Sequence, residues 1–210
     1  MAKREMSDIR FIQILRSLDK PYFTVADLEK ILGLKRDSLY VALNRLVKNE
    51  VLIRLKRGIY QPAFQSLELE KAAGELYYPS YLSFESALSR YGILSQIPYT
   101  LTFATTRRSK RLMLGKREVE YRQLKEEYFF GYILDNGIYI AEPEKAILDQ
   151  LYLISIGKAS SDISEWSLIG VERNKFLNYS KKFSTRVQDK ANKLVSRFGE
   201  QMVTLEGEKR

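Results

Sequence analysis

The sequence predicts an α+β protein in two parts, and three patterns lead there. Between Ser7 and Lys48 apolar residues recur at helical spacing, broken by helix-stop signals. Between Tyr99 and Ile140 the chain changes to short aromatic and β-branched runs divided by turn formers. From Pro143 onward helical spacing returns.

Ser7 is placed to N-cap a first helix that turns Phe11, Ile12, Leu15 and Leu18 inward. Lys20-Pro21 ends it, because proline disfavours helix in the residue before it. Thr24 opens a second helix, with Asp27 three residues on as an approximate capping box. Leu28, Ile31 and Leu32 give that helix its apolar stripe, and Gly33 sits where a terminating glycine is expected. A third helix follows at once. In it Leu39, Ala42, Leu43, Leu46 and Val47 share one face, while Asp37, Val41, Asn44, Arg45 and Lys48 fall opposite. Val51 to Leu55 then reads as a strand, Lys56-Arg57-Gly58 as a charged turn, and Ile59-Tyr60 as a return strand that Pro62 stops. Helix, helix, tight glycine turn, helix and basic hairpin, in that order, form a winged helix-turn-helix. The boundary is placed at Phe64, giving a winged-helix domain over 1–64 and a C-terminal α/β domain over 65–210, with 200–210 a flexible tail.

The C-terminal part opens with a connector helix around Leu67–Leu76 that Pro79 closes. Tyr81–Leu94 reads as a helix with Ser83 at its N-cap, Ala87 and Leu88 inward and Gly92 as its stop. Tyr99–Thr106, Val119–Arg122, Tyr128–Phe130 and Ile138–Ile140 are the expected strands of a small, mainly antiparallel or mixed sheet. Asp135-Asn136-Gly137 is a turn. Pro143 then stands at a favoured first helical position, with Glu142 and Glu144 suited to a helix N-terminus. Ala146, Ile147, Leu148, Leu151, Tyr152 and Ile154 make that helix apolar nearly all round, so it is expected to be buried. Two flanking helices remain, around Asn174–Ser180 and Thr185–Phe198.

A charged content of 29% and an apolar content of 45% fit a folded, soluble chain. With no apolar run long enough for a membrane helix and no signal-peptide core at the N-terminus, a cytoplasmic location is expected. The chain has no cysteine and no histidine, which removes disulfides, Ser-His-Asp and Cys-His catalysis and the usual metal ligands. No P-loop or dinucleotide fingerprint occurs, so neither a cofactor nor a metal is expected. The net charge of +9 is segregated. Residues 1–64 carry 13 Lys/Arg against 7 Asp/Glu, 101–125 carry 8 against 2, and 173–197 carry 8 against 1. Between the last two, 126–172 carries 2 against 9. Segregation of this kind suits faces that meet a polyanion.

Double-stranded DNA is the expected partner. The third helix offers Lys35, Arg36, Ser38, Tyr40, Val41, Asn44 and Arg45 for reading base edges in a major groove. Arg54, Lys56 and Arg57 on the hairpin are placed for phosphate contact. Two further basic groups, Arg107, Arg108, Lys110 and Arg111, and the helical ridge Arg186, Lys190, Lys193 and Arg197, are either solvated surface or a second polyanion-binding surface. Because one winged helix is a small module, tight binding is expected to need two copies on repeated half-sites.

The chain resembles the AbiEi family of antitoxins, transcriptional regulators of bicistronic type IV toxin–antitoxin systems. The likeness lies in LKRGIYQP at 55–62, the Tyr-Leu-Ser-Phe-Glu-Ser-Ala-Leu block at 81–88, the basic strand region after it, and IAEPEKAILDQLY at 140–152. It departs at Tyr91-Gly92, where relatives often have His-Gly. The resemblance implies a non-enzymatic repressor that binds inverted repeats in its own promoter and antagonises a nucleotidyltransferase-like toxin without a stable complex. Two other readings stay open. One is a plain winged-helix regulator with a ligand-binding or dimerising C-terminal domain. The other is a Mg²⁺-dependent nuclease using Asp135 and the acidic-basic run Glu142-Pro143-Glu144-Lys145, which would require those residues on a strand.

Overall fold

The computed structural model describes residues 7–18, 20–65 and 68–196. It divides into two compact units, one running to Ala72 and taking in Met113–Lys116, the other comprising Ala73–Leu112 and the chain from Arg117 onward.

The first unit holds helices α1 (Asp8–Leu18), α2 (Val25–Leu32) and α3 (Arg36–Lys48). With them goes a three-stranded sheet of β1 (Phe23–Thr24), β2 (Leu52–Lys56) and β3 (Ile59–Pro62), in the order β1-β3-β2. β1 is absent from the sequence expectations. Its two residues pair antiparallel with Tyr60 and Ile59, too short a stretch to leave a pattern. Phe11, Leu15, Phe23, Leu28, Leu39, Leu43, Leu46, Leu52 and Tyr60 form the core, so each helix buries the stripe its spacing predicts. In α1 the exceptions are Ile12, only half-buried, and Leu18, the last helical residue, which is exposed. Thr24 and Asp27 make a complete capping box for α2. The Thr24 hydroxyl accepts from the Asp27 amide at 3.2 Å, and the Asp27 carboxylate accepts from the Thr24 amide at 2.9 Å. Burial pulls the Asp27 carboxyl up, but the Thr24 hydroxyl and amide together with Lys20 outweigh it and leave it below its ordinary value. Phe64 packs on this core, with the Arg16 guanidinium 4.7 Å from its ring centroid.

The second unit is a mixed six-stranded sheet in the order β6-β7-β5-β4-β9-β8. Its strands are β4 (Ser80–Leu82), β5 (Leu101–Thr105), β6 (Lys110–Leu114), β7 (Arg117–Gln123), β8 (Tyr132–Asp135) and β9 (Ile138–Ala141). β4 runs antiparallel to β5 and parallel to β9, and β5 runs parallel to β7. Helices α4 (Leu69–Leu76), α5 (Phe84–Arg90), α6 (Pro143–Ser155), α7 (Arg173–Ser180) and α8 (Thr185–Val195) complete the described chain. Tyr128–Phe130 is not the expected strand. It is the end of a short 3₁₀ turn over Glu126–Tyr128 and the coil after it, with Tyr128 stacked on Phe183 at 4.5 Å between centroids. The strand falls instead at Tyr132–Asp135.

α6 packs against α5, α7, α8 and β9, and Glu144–Leu151 are all buried. The apolar residues were expected there; Glu144, Lys145, Asp149 and Gln150 were not. Lys145 and Asp149, one turn apart, form a fully buried ion pair. Asp149 also accepts from the Ser83 and Tyr81 hydroxyls at 2.8 and 2.9 Å, and Lys145 donates to Tyr81 at 2.9 Å. Ser83 therefore spends its hydroxyl on α6 and does not cap α5. Burial draws the Lys145 ammonium below its ordinary value against the pull of Asp149, and pushes the Asp149 carboxyl up. Glu142 and Glu144 likewise do not cap α6 by hydrogen bonding. Glu142 accepts from Lys175 and Tyr179, each at 2.7 Å, and Glu144 accepts from the Glu172 amide at 2.8 Å.

Candidate nucleic-acid interface

α3 is the element on which the first unit turns its polar side chains outward. Leu39, Leu43 and Leu46 are buried, and the 3.6-residue period places Lys35, Arg36, Ser38, Tyr40, Val41, Asn44 and Arg45 on exposed ground. Val41 is 71% exposed, an apolar side chain in water mid-helix with Asp37, Ser38, Asn44 and Arg45 one turn away on the same face. The start of α3 is unusual. Its N-cap is Lys35, which makes no side-chain capping bond, and Arg36 follows as the first helical residue. Two cations stand where the helix dipole favours anions, with Asp37 as partial compensation. An uncapped amide terminus flanked by cations presents several donors to one phosphate oxygen.

Behind α3 the wing is shaped by a β-bulge. Arg54 pairs with Tyr60 and Lys56 with Ile59, which leaves Leu55 as the extra residue. Strict alternation after buried Leu52 would turn Arg54 inward. The bulge exposes Ile53 and Arg54 together and buries Leu55 in their place. Gly58, at φ +80°, closes the turn beside exposed Arg57, a backbone conformation that side chains with a Cβ rarely adopt. Among the described residues Lys35, Arg36, Arg54, Lys56 and Arg57 have no acidic partner. Arg45 does: its guanidinium lies 2.9 Å from Asp8 of α1. Both side chains are partly exposed, and such pairs are worth on the order of 0–1 kcal/mol, little enough to be exchanged for a base or phosphate contact.

Residues 10–63 match the family described as transcriptional regulator, AbiEi antitoxin. No curated protein matches the chain. The matched stretch takes in α1 from Arg10 onward, α2, α3 and both wing strands, so the winged helix-turn-helix of the first unit is the part of the chain similar to AbiEi regulators. Among the described residues no helix is long and apolar enough to cross a membrane.

Outside the AbiEi match, the second unit separates the cations that the sequence grouped together. At the β5–β6 turn, Arg107 stacks on Tyr77 at 4.2 Å and donates to the Tyr78 carbonyl, while Lys110 sits 5.1 Å from the same ring. Arg111 is neutralised by Glu120 at 2.6 Å, and Glu120 also takes Arg122 at 2.8 Å. Arg108 remains exposed, as do Arg186 and Lys193 of α8, with Lys190 half-buried. Arg197 lies outside the described residues. Tyr91, at the departure from the family pattern, donates its hydroxyl to the Ala141 carbonyl at 2.9 Å, a packing role.

The residues of the nuclease reading are committed elsewhere. Asp135 is held by Arg90 at 3.1 Å, Lys145 is sealed against Asp149, and Glu142-Pro143-Glu144-Lys145 lies at a helix start, not on a strand. The cavity lined by Tyr78, Pro79, Ser80, Phe129, Tyr132 and Tyr139 is about 70 Å³, well short of the roughly 300 Å³ at which metabolite sites begin. Sequence reasoning missed the buried polar chain through Tyr81, Ser83, Lys145 and Asp149. Its one legible sign is Lys and Asp four residues apart in an otherwise apolar helix.

Proposed function

We propose that this protein is a sequence-specific repressor of its own operon and the antitoxin of a nucleotidyltransferase-like toxin, acting on that toxin without a stable complex and without enzymatic activity. The observation that carries the DNA half is the outer face of α3, exposed, basic at its N-terminus and backed by a wing whose cations have no acidic partners among the described residues. In this reading Lys35, Arg36 and Arg45 pair with guanine O6/N7, Asn44 with adenine N6/N7, and Val41 meets a thymine methyl, with Ser38 and Tyr40 beside them. Arg54, Lys56 and Arg57 hold phosphates and fix the register. Two copies occupy inverted half-sites in the promoter. The antitoxin half is assigned to 65–210 on the resemblance through EPEKAILD.

Operator titrations separate the two contact types. Asn44→Ala is expected to cost about 1–3 kcal/mol on cognate DNA and little on scrambled DNA. Arg57→Ala is expected to weaken both and to flatten the salt dependence by about one unit. Equal losses on both DNAs for Asn44→Ala would remove its base-reading role. Co-expression of full-length protein or of 65–210 with the neighbouring gene product tests the antitoxin half, which fails if neither restores growth.

A further inference from the structure

The two edges of the six-stranded sheet are built differently. β6 begins with Lys110 and Arg111, both exposed, and charge of this kind keeps an edge from pairing. β8, at the other edge, presents Tyr132, Ile133 and Leu134, the last two 47% and 62% exposed. Its one charged residue, Asp135, comes last and is held by Arg90. An exposed apolar edge strand is a template for another strand.

Which backbone groups β8 offers follows from its hairpin. Asn136 and Gly137 have φ of 48° and 79°, the two left-handed residues of a type I′ turn. The closing pair of such a hairpin, Asp135 with Ile138, exchanges hydrogen bonds, and pairs alternate along the ladder. Ile133 therefore bonds to Ile140, while Tyr132 and Leu134 direct their amides and carbonyls away from β9. These outward groups are self-complementary about a two-fold axis at Ile133. Tyr132 of one copy would exchange hydrogen bonds with Leu134 of another, and the reverse.

We propose that β8 is the edge through which two copies of this chain pair, antiparallel, with Ile133 facing Ile133 across the axis. Charge favours this arrangement. Asp135 arrives opposite Gly131 of the second copy, beside Phe130, whose ring carries the Lys182 ammonium 4.1 Å from its centroid. In-register parallel pairing would set Asp135 against Asp135. The strand has only four residues, so its pairing buries far less than the roughly 1,200 Å² of a stable complex. The contact is weak between free copies and fills when two copies are held close. Adjacent DNA half-sites would do this; that clause rests on the proposed function, while the pairing itself does not.

The chain contains no cysteine, so Ile133→Cys introduces a single thiol. It stands at a non-hydrogen-bonded position, where facing Cα atoms are about 4.5 Å apart. A disulfide spans about 4.4–6.8 Å. Under mild oxidation without DNA, Ile133→Cys is expected to form a covalent dimer at protein concentrations where Ile169→Cys, at a site 60% exposed, stays monomeric. Adding Leu134→Lys to Ile133→Cys is expected to abolish that dimer. Cross-linking no faster than that of Ile169→Cys, or unchanged by Leu134→Lys, overturns the proposal. Since no DNA is present, either result leaves the operator titrations to stand or fall alone.

Discussion

Replacing Asp149 by Asn tests what the buried pair contributes. Asp149 and Lys145 have fully buried side chains, and Asn keeps the shape and an acceptor for Ser83 and Tyr81. What it removes is the charge opposite the ammonium. Breaking a buried pair from one side costs about 3–5 kcal/mol, a large share of the roughly 5–15 kcal/mol that holds a domain folded. The loss carries a pH signature. Burial already places the Lys145 value below its ordinary 10.5, and Asp149 works against that fall. Without Asp149 the folded-state value drops further while the unfolded value stays. Between the two, the unfolded chain binds one more proton than the folded one, so stability rises with pH across that window by up to about 1.4 kcal/mol per unit. Urea unfolding of Asp149→Asn at a series of pH values up to the ordinary lysine range measures both the penalty and the slope. The double variant Lys145→Met, Asp149→Leu is expected to be more stable than Asp149→Asn but below wild type, because no charge is left unpaired while the buried Tyr81 and Ser83 hydroxyls lose their partners. A penalty within about 0.5 kcal/mol of zero for Asp149→Asn, the range of ordinary surface changes, or stability that falls as pH rises, would refute the reasoning.

Thr24→Ala removes the capping box of α2 and is expected to cost about 1 kcal/mol in denaturant unfolding, with little further loss when Asp27→Ala is added. Leu43→Ala opens a hole under α3 and is expected to cost about 2–5 kcal/mol, measured as a lower urea midpoint. Burial raises the Glu142 carboxyl, but Lys175 and Tyr179 outweigh it and hold it below its ordinary 4.5. Its stabilising contribution is therefore full above that value and disappears as pH falls through the lowered one. Glu142→Gln is expected to flatten this part of the acid-unfolding curve, and an unchanged acid limb would count against the contact.

The first unit was largely legible because its helices bury a single stripe each, and a 3.6-residue period reports that directly. α3 shows this best, since Leu39, Leu43 and Leu46 are inside and every proposed reading residue is outside. What stayed hidden there depends on contacts distant in sequence. The bulge at Leu55 is a matter of register with β3, and the Arg45–Asp8 pair joins residues 37 apart. In the second unit the two misreadings have separate causes. Tyr128–Phe130 has strand composition, yet its rings pack against Tyr152, Tyr179 and Phe183, so burial decided the backbone over propensity. β4 escaped because it has only three residues, Ser80, Tyr81 and Leu82, and runs straight into α5.

Two places break the rules that the rest of the chain obeys, and the break means something different in each. Lys145 and Asp149 violate the expectation that charges stay outside, but both are partnered from within by Tyr81, Ser83 and each other. A closed network offers nothing to a ligand, and its effect is to fix how α6 sits on β4 and α5. Lys35 and Arg36 violate the expectation that helices begin with Ser, Thr, Asp or Asn. Forgoing a cap costs about 1 kcal/mol, and two cations at the positive end of the dipole add to that. Asp37 offsets only part of it: among the described residues these cations have no acidic ion-pair partner, and Lys35 at the N-cap makes no capping bond to the amides. A polyanion would supply both at once. The cost therefore stays in the free protein, which is why the start of α3, and not the buried pair, is where the proposed DNA contact is anchored.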